Sequence, residues 1–237
     1  IVTQAGLKDL VYNTFEIGED ADVTIIAGCG IHNDSHMDAG HDGIHEFIIK
    51  ANARVRYVEK HYGDGSGSGK KVLNPTTIIR MGSDAYAEME MVQIEGVDDT
   101  YRKTIAYVED RAHLKIVERL LTHKEQSAQS DIEISIEGVD GSAQILSRSV
   151  AKDNSNQVFK ASMIGKTTCT GHVECDSIIM GNAVIKAIPS LVAESSEAVL
   201  THEAAIGKIA GEQLIKLMSL GLTEDEAVNT IIDGFLR

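Results

Sequence analysis

The sequence predicts an all-β core of the β-solenoid type, followed by a short helical carboxy-terminal domain. From residue 23 to about residue 200, short segments of alternating apolar and polar residues are separated by turns rich in Gly, Asp and Asn. Aromatic residues make up only 4% of the chain and Trp is absent, which suits the narrow interior of stacked coils. The motif IEGVD occurs at residues 94–98 and again at 136–140, as in a solenoid repeat spanning about two rungs. A β-sandwich with two similar hairpins would show the same repeat and is the alternative.

The amino-terminal segment, residues 1–20, is predicted to be helical. Leu7, Leu10 and Val11 follow a helical spacing within residues 5–15. The β-solenoid core is then expected over residues 21–200. Its clearest strand is segment 131–137, in which acidic or hydroxyl side chains alternate with three Ile residues.

Residues 201–237 are predicted to form a helical hairpin. Apolar side chains in segment 209–220 lie largely on one side of a helix, and Gly221 suits a left-handed cap. Thr223 and Glu226 have the spacing of a capping box, which opens a second helix. That helix carries an apolar stripe, and we expect most of it to pack on the solenoid rather than on a partner. The stripe consists of Ala227, Val228, Ile231, Ile232 and Phe235.

The composition argues against several classes of function. A formal net charge of −14 opposes binding to nucleic acid or to anionic lipid, because both require a basic face. No apolar run approaches the roughly 20 residues of a membrane span, and no signal-peptide pattern opens the chain. Three cysteines fit a reducing cytoplasm better than a disulfide framework. The chain starts with Ile1 rather than Met, so its natural start is expected further upstream.

The glycine-rich segment GDGSGSGKK, residues 63–71, does not match the phosphate-binding loop of ATPases. That motif requires Gly where this chain has Asp64, and Ser or Thr where it has Lys71. We therefore expect a solvated hairpin tip here and no ATP hydrolysis by this chain.

A histidine-rich segment contains Cys29, His32, His36, His41 and His45, with three Asp residues between them. The spacing matches no closed zinc site, so adventitious metal binding by a solvated loop is preferred to a functional metal site. Cys169 is expected to be a small buried side chain. Three histidines without a matched partner in the sequence are expected to be surface or core residues, namely His113, His123 and His172.

Cys175 and the pair His202-Glu203 bracket the end of the β-patterned region. A cysteine accepts sulfur or ligates iron only as the thiolate, and imidazole and carboxylate groups can complete an iron site. From spacing alone, a structural cysteine and an unrelated His-Glu pair is the preferred interpretation.

Around these residues the sequence resembles the SufB/SufD family, the scaffolds of iron–sulfur cluster assembly. Residues 175–181, CDSIIMG, resemble the CDS…G motif of SufB, and residues 202–209, HEAAIGKI, resemble its HEA…K-I motif. Residues 212–214, EQL, resemble the first closing helix. Upstream, Gly28-Cys29, His45 and the segment ARVRY at 53–57 resemble the opening of the family's β-helix. The resemblance covers almost the whole chain and is most specific from residue 174 to 235.

The resemblance implies a right-handed parallel β-helix that dimerises and carries a SufC-type ABC ATPase on its terminal helices. It implies that Cys175 accepts sulfur or ligates iron, and that His202 and Glu203 ligate or position iron at the dimer interface. Glu194 is a further carboxylate candidate, and Cys29 is a candidate for a sulfur route. A transient iron–sulfur cluster is the implied cofactor, while participation of a flavin and the sulfur donor stay open.

The retained cysteine and His-Glu pair favour SufB over SufD. The long helical amino-terminal domain of bacterial SufB is absent, which resembles short archaeal-type members and implies a homodimer. Two alternatives belong to other classes. A β-helix enzyme acting on polysaccharides would need clustered carboxylates and aromatic subsites, which this sequence lacks. A non-catalytic interaction module would bury Cys175, and a thiol reagent would distinguish it from a reactive site.

Overall fold

The computed structural model describes residues 2–237, which form fifteen β-strands and two α-helices. The strands are β1 (Val2–Gln4), β2 (Lys8–Ile17), β3 (Asp22–His32), β4 (Ala39–Ile49), β5 (Arg54–Asp64), β6 (Lys71–Met81), β7 (Tyr86–Glu95), β8 (Asp99–Val108), β9 (His113–Thr122), β10 (Ser127–Ile136), β11 (Gly141–Ala151), β12 (Asn156–Gly165), β13 (Cys169–Ile179), β14 (Val184–Ala193) and β15 (Ala198–Gly207). The helices are α1 (Gly211–Ser219) and α2 (Glu224–Phe235).

The strands form two parallel sheets. The odd-numbered strands make an eight-stranded sheet and the even-numbered strands a seven-stranded one, here called the odd and even sheets. Each strand pairs in parallel with the next strand but one, so the chain winds as a solenoid with one strand per sheet in each turn. The predicted parallel β-solenoid is confirmed. The β-sandwich alternative is wrong, because its hairpins would pair consecutive strands antiparallel.

The length of one turn follows from the strand register. Val72 lies beside Asp99, which is 27 residues later, and Lys8 lies beside Gly40, which is 32 residues later. The IEGVD repeat does not follow this period. Its two copies overlap the ends of β7 and β10, which belong to different sheets, so the expectation that it spans two rungs is wrong.

Alternation places every second side chain inside the solenoid. In β10 the side chains of Ile132, Ile134 and Ile136 are buried, as the alternation of segment 131–137 predicts. Many corners contain a residue in the left-handed region, for example Asn52 with a φ of 58° and Asp84 with a φ of 60°. Short polar side chains tolerate this conformation, which explains the Asp- and Asn-rich turns of the sequence.

The amino-terminal segment is not helical. Residues 2–4 and 8–17 form β1 and β2, so the helix expected within residues 1–20 is wrong. β2 pairs with β4 along its full length, and its side chains alternate between half-buried and exposed. Leu7, Leu10 and Val11 imitate a helical spacing, but parallel pairing with a complete strand overrides that weak local pattern.

The glycine-rich segment 63–71 forms a solenoid corner between β5 and β6. The Gly67 amide donates to the Asn33 carbonyl at 2.9 Å, and the Ser66 amide donates to Asp34 Oδ1 at 2.8 Å. The expectation of a hairpin tip is wrong, because β5 and β6 lie in different sheets.

The carboxy-terminal helices follow β15, which continues to Gly207, so the helical pair starts later than residue 201. The Thr223 hydroxyl accepts from the Glu226 amide at 3.3 Å and Glu226 Oε2 accepts from the Thr223 amide at 2.8 Å, which confirms the capping box. Ile232 and Leu236 pack with Val150 of β11, so α2 covers part of the solenoid. Within residues 2–237, neither helix is long and apolar enough to cross a membrane.

Candidate functional site

Cys175 and His202 lie together on the last two strands of the odd sheet. β13 pairs with β15 so that Val173 lies beside His202 and Cys175 beside Ala204. Cys175 Sγ is 3.4 Å from His202 Nε2 and 3.8 Å from the Glu203 carbonyl oxygen. The Cys175 residue is only 3% exposed. One solenoid turn here is 29 residues, so His202, 27 residues after Cys175, lies beside Val173 and two residues from Cys175 on the same face, which brings the two side chains into contact.

Glu203 lies on the opposite face of the same strand. It pairs with Glu174, and both side chains point outward because neighbours along a strand alternate in direction. Its Oε1 atom is 3.5 Å from His172 Nε2, and its side chain is 66% exposed. His172, Glu174 and Glu203 bring one ligand atom each within 4.8 Å of one another. The predicted residues therefore divide into an inner pair, Cys175 and His202, and an outer group around Glu203.

Sequence reasoning missed the contribution of His172 and Glu174 to this outer group. His172 was expected to be a surface or core residue without a partner. A signal was nevertheless present, because His172 and Glu174 are two residues apart in a strand and lie 29 residues before Thr201 and Glu203. Two such pairs at the distance of one turn stack on the same face.

Two other predicted site residues lie elsewhere. Glu194 follows β14 at the corner before β15, where its charge adds to the larger effect of Glu137 in raising the pKa of Lys166. Since Cys169 pairs with Ala198 at that corner, Cys175 lies six residues, or about 20 Å, further along β13. Cys29 is on β3 of the same sheet, five strands from β13, which corresponds to about 24 Å.

Burial raises the pKa of Cys175 above its usual value, and the neighbouring carboxylates of Asp176 and Glu174 raise it further. The thiolate form, which reacts with sulfur or binds iron, is therefore disfavoured in the single chain. A positive charge or a metal ion beside the sulfur would reverse this effect.

The solenoid interior contains a series of hydrogen-bonded polar side chains. His61 Nδ1 accepts from Arg102 Nη2 at 3.1 Å, and Arg102 Nη1 donates to Glu118 Oε1 at 3.1 Å. Ser147 Oγ donates to Glu118 Oε2 at 3.4 Å, and Ser147 lies directly beside Cys175 in the register. These side chains are almost completely buried. The series therefore extends from the amino-terminal part of the solenoid to Cys175.

The histidine-rich segment does not form one site. His32 is half-buried between Asp34 and Asp64, at 2.9 and 2.7 Å. His41 and His45 both point into the interior from β4, and His41 Nδ1 is 2.6 Å from Asp9 Oδ1. The corner at residues 33–38 lies against the next corner, so the segment is an ordered part of the solenoid rather than the expected solvated loop.

The strands next to Cys175 end the two sheets. β14 is the last strand of the even sheet and β15 the last strand of the odd sheet. Each therefore has one edge without a paired strand among residues 2–237. Large apolar side chains are exposed on both strands, which is unusual for an edge in contact with water only. They are Val184, Ile188, Val192, Val199 and Ile206.

Comparison with known proteins gives matches over almost the whole chain. Residues 5–235 match the family model described as "SUF system FeS cluster assembly, SufBD core domain". The chain is 30% identical to an iron–sulfur cluster assembly SufBD family protein of Methanothermobacter thermautotrophicus, over 92% of this chain and 53% of that protein. Archaeoglobus fulgidus has a similar protein, 30% identical over 97% of this chain and 61% of the relative. The chain thus spans little more than half the length of these curated relatives.

Proposed function

The chain belongs to the SufBD family of iron–sulfur cluster assembly proteins, and we propose that it is an assembly scaffold which accepts sulfur and iron at its carboxy-terminal strands. The contact between Cys175 and His202 at 3.4 Å, next to two unpaired sheet edges, carries this proposal. Family membership favours a scaffold over the polysaccharide-acting enzyme considered above. The side chains of the proposed site, Cys175 and His202, both come from this chain.

Cys175 is the sulfur acceptor in this proposal. Its thiolate attacks the outer sulfur of a donor persulfide, forms a new sulfur–sulfur bond and releases the donor as a thiolate. His202, in contact with Cys175 Sγ, takes the thiol proton before the attack. Once the proton has left, Cys175 is also a ligand for iron, together with His202.

We propose that the complete site forms between two copies of this chain. β15 is the edge strand of the odd sheet, so a strand of a second copy that pairs with it would lie next to both faces of β15. The inner pair and the outer group around Glu203 would then contribute to one interface. The exposed apolar side chains of β14 and β15 supply the surface that such pairing buries. Glu194, at the neighbouring corner, is a further candidate for the rim of this interface.

A SufC-type ABC ATPase is the proposed partner of the helices. In α1 no residue is buried, and Ile215, Met218 and Leu220 are exposed after or within it. α2, in contrast, is held on the solenoid through Ile232. This arrangement presents an apolar helix on a fixed support, which suits docking of a folded partner that hydrolyses ATP.

Cys29 is proposed to lie on a route for sulfur through the solenoid. The polar series from His61 through Arg102, Glu118 and Ser147 to Cys175 connects its neighbourhood with the carboxy-terminal site. Three free cysteines also support a reducing compartment, and we propose the cytoplasm.

Anaerobic reconstitution with iron and sulfide tests the proposal. Wild type is compared with Cys175→Ala and Glu203→Ala by visible absorption and iron content, with and without the ATPase partner. The matched control is Cys169→Ala, which removes a second buried cysteine from the same strand. We expect cluster loading to be lost in the Cys175 and Glu203 variants and kept in the control. Equal loading in all four proteins would contradict the assignment.

A further inference from the structure

A second group of ligand side chains lies inside the solenoid near its amino-terminal end. Cys29 is on β3, and Glu59 and His61 are on the adjacent β5, all pointing inward. A Cys sulfur, a carboxylate oxygen and a His ring nitrogen from these residues lie within 4.8 Å of one another. Cys29 and His61 are directly paired in the register, and Glu59 is two residues before His61 on the same face. The strand geometry therefore fixes the three ligands relative to one another.

The polar atoms of this group are not satisfied by the protein. Glu59 is 0% exposed, yet neither of its carboxylate oxygens has a hydrogen-bond partner among the described residues. His61 Nε2 is 3.1 Å from Glu59 Oε1 and His45 Nε2 is 3.5 Å from it, which are ion-pair distances without hydrogen-bond geometry. A carboxylate that lacks hydrogen bonds in a dry interior is strongly unfavourable. Two imidazoles that converge on this one carboxylate, neither of them in hydrogen-bond geometry, indicate a missing ligand.

The charge balance indicates a cation. The interior contains the carboxylates of Glu59 and Glu118 and the guanidinium of Arg102, which pairs with Glu118 at 3.1 Å. With neutral imidazoles and a neutral Cys29 thiol, this group carries one net negative charge. A divalent cation that displaces the thiol proton of Cys29 would bring the net charge to zero.

We propose that Cys29, Glu59 and His61 form a buried site for a divalent transition-metal ion, with His45 as the fourth ligand. One sulfur, one oxygen and two nitrogen atoms suit borderline ions such as Zn²⁺ or Fe²⁺ and do not suit Mg²⁺ or Ca²⁺. The site is about 24 Å from Cys175, and Cys29 is available to the sulfur route proposed above only when the metal ion is absent.

Binding requires a defined movement of protons. His61 Nδ1 accepts from Arg102, so the neutral ring carries its proton on Nε2. A metal at Nε2 moves this proton to Nδ1, and Arg102 then gives up that contact while it keeps Glu118 through Nη1. The thiol proton of Cys29 leaves to the solvent. The site is within one turn of the solenoid end, where β1 pairs with β3 only at residues Gly30 to His32.

Titration of the reduced, metal-free full chain with Co²⁺ tests the site. Co²⁺ replaces Zn²⁺ in tetrahedral sites and gives visible d–d bands and a sulfur-to-metal charge-transfer band. One sample is titrated in the native state, and a second is refolded from denaturant with Co²⁺ present, so that slow entry cannot hide binding. The variants are Cys29→Ser, Glu59→Gln, His61→Gln and His45→Gln. Cys169→Ser and Cys175→Ser are the matched controls.

We expect wild type and both controls to show the charge-transfer band. Cys29→Ser in the Cys175→Ser background, where the proposed carboxy-terminal thiolate is also absent, should lack it. Glu59→Gln and His61→Gln should lose more than about 100-fold in affinity, because even substitutions in the outer shell of a metal site cost about 10- to 100-fold. A band that depends on Cys175 but not on Cys29 would overturn the proposal. So would a refolded wild type with native circular dichroism and no band. Cluster reconstitution of Cys29→Ser, measured separately, distinguishes this result from failure of the assembly function.

Discussion

The two ends of the solenoid contain the same types of ligand but arrange them in different ways. Near the amino-terminal end, Cys29, Glu59 and His61 all point inward and are enclosed. At the carboxy-terminal end, Cys175 and His202 point inward while Glu203 points outward beside His172. The first group is complete within one chain, whereas the second is divided between two faces of an edge strand.

This difference shows how register determines function in a solenoid. Ligands two residues apart share a face and form an internal site, as Glu59 and His61 do. Ligands adjacent in sequence, such as His202 and Glu203, are separated by the strand and can act together only where the strand forms an edge. The same chemistry is therefore enclosed in one region and open to a partner in the other.

The largest expected effect concerns the interior between the two ends. Glu118→Ala leaves the Arg102 guanidinium buried without its carboxylate, and we expect a loss of about 3–5 kcal/mol in the free energy of unfolding. Urea unfolding measures this loss. Glu137→Ala, which breaks an exposed pair with Lys166, is the control and should cost less than about 1 kcal/mol. Similar losses for the two variants would show that the interior charges are hydrated.

The thiols of the two ends should differ in reactivity. Burial, followed by the carboxylate of Glu59, raises the pKa of Cys29 to about 11, so at pH 8 about one molecule in a thousand carries the thiolate. The pKa of Cys175 is also raised and its residue is as buried as Cys29, but its sulfur contacts the exposed His202 on the last strand of the odd sheet. We expect Cys175 to be alkylated about 10- to 100-fold faster in metal-free protein at pH 8, as measured by peptide mass spectrometry.

The pH dependence checks the cause of this difference. Because a thiol below its pKa gains about tenfold in thiolate per pH unit, alkylation of Cys29 should rise about 100-fold between pH 8 and pH 10. Urea unfolding at both pH values controls for opening of the fold. Equal rates for Cys29 and Cys175 at pH 8 would show that His202 does not make Cys175 the more reactive thiol.

Much of the fold could be predicted from the sequence, and so could the Cys175 and His202 part of the candidate site, whose side chains are in contact. Alternation revealed the strands, and the capping residues Thr223 and Glu226 revealed α2. β2 was mistaken for a helix, because a strand at the solenoid end has only one paired neighbour and a weak apolar pattern. Glu59 and His61 were missed, because they look like ordinary strand residues until one turn of about 32 residues places them beside Cys29.

The outer group at the carboxy-terminal end should make a smaller contribution than Cys175. His172→Gln removes a ring 3.5 Å from Glu203 but leaves the Cys175–His202 contact unchanged. We expect about a tenfold loss in iron affinity, as for supporting residues of other metal sites, with the alkylation rate of Cys175 unchanged. Iron binding by equilibrium dialysis measures the first quantity. His113→Gln, which changes a histidine two strands away in the odd sheet, is the matched control. A changed Cys175 rate would mean that the two faces are not independent.

The smallest expected effect on stability concerns α1, the exposed helix beyond the carboxy-terminal site. Ile215 is 68% exposed, so Ile215→Ser should change the free energy of unfolding by less than about 0.5 kcal/mol. Ile232→Ala is the contrast, because it removes a buried side chain that holds α2 on Val150 and should cost about 2–5 kcal/mol. If α1 docks the ATPase, Ile215→Ser weakens that complex in a pull-down with purified partner while the fold stays intact. Unchanged binding would place the docking surface elsewhere, and the helices would then serve only to close the solenoid.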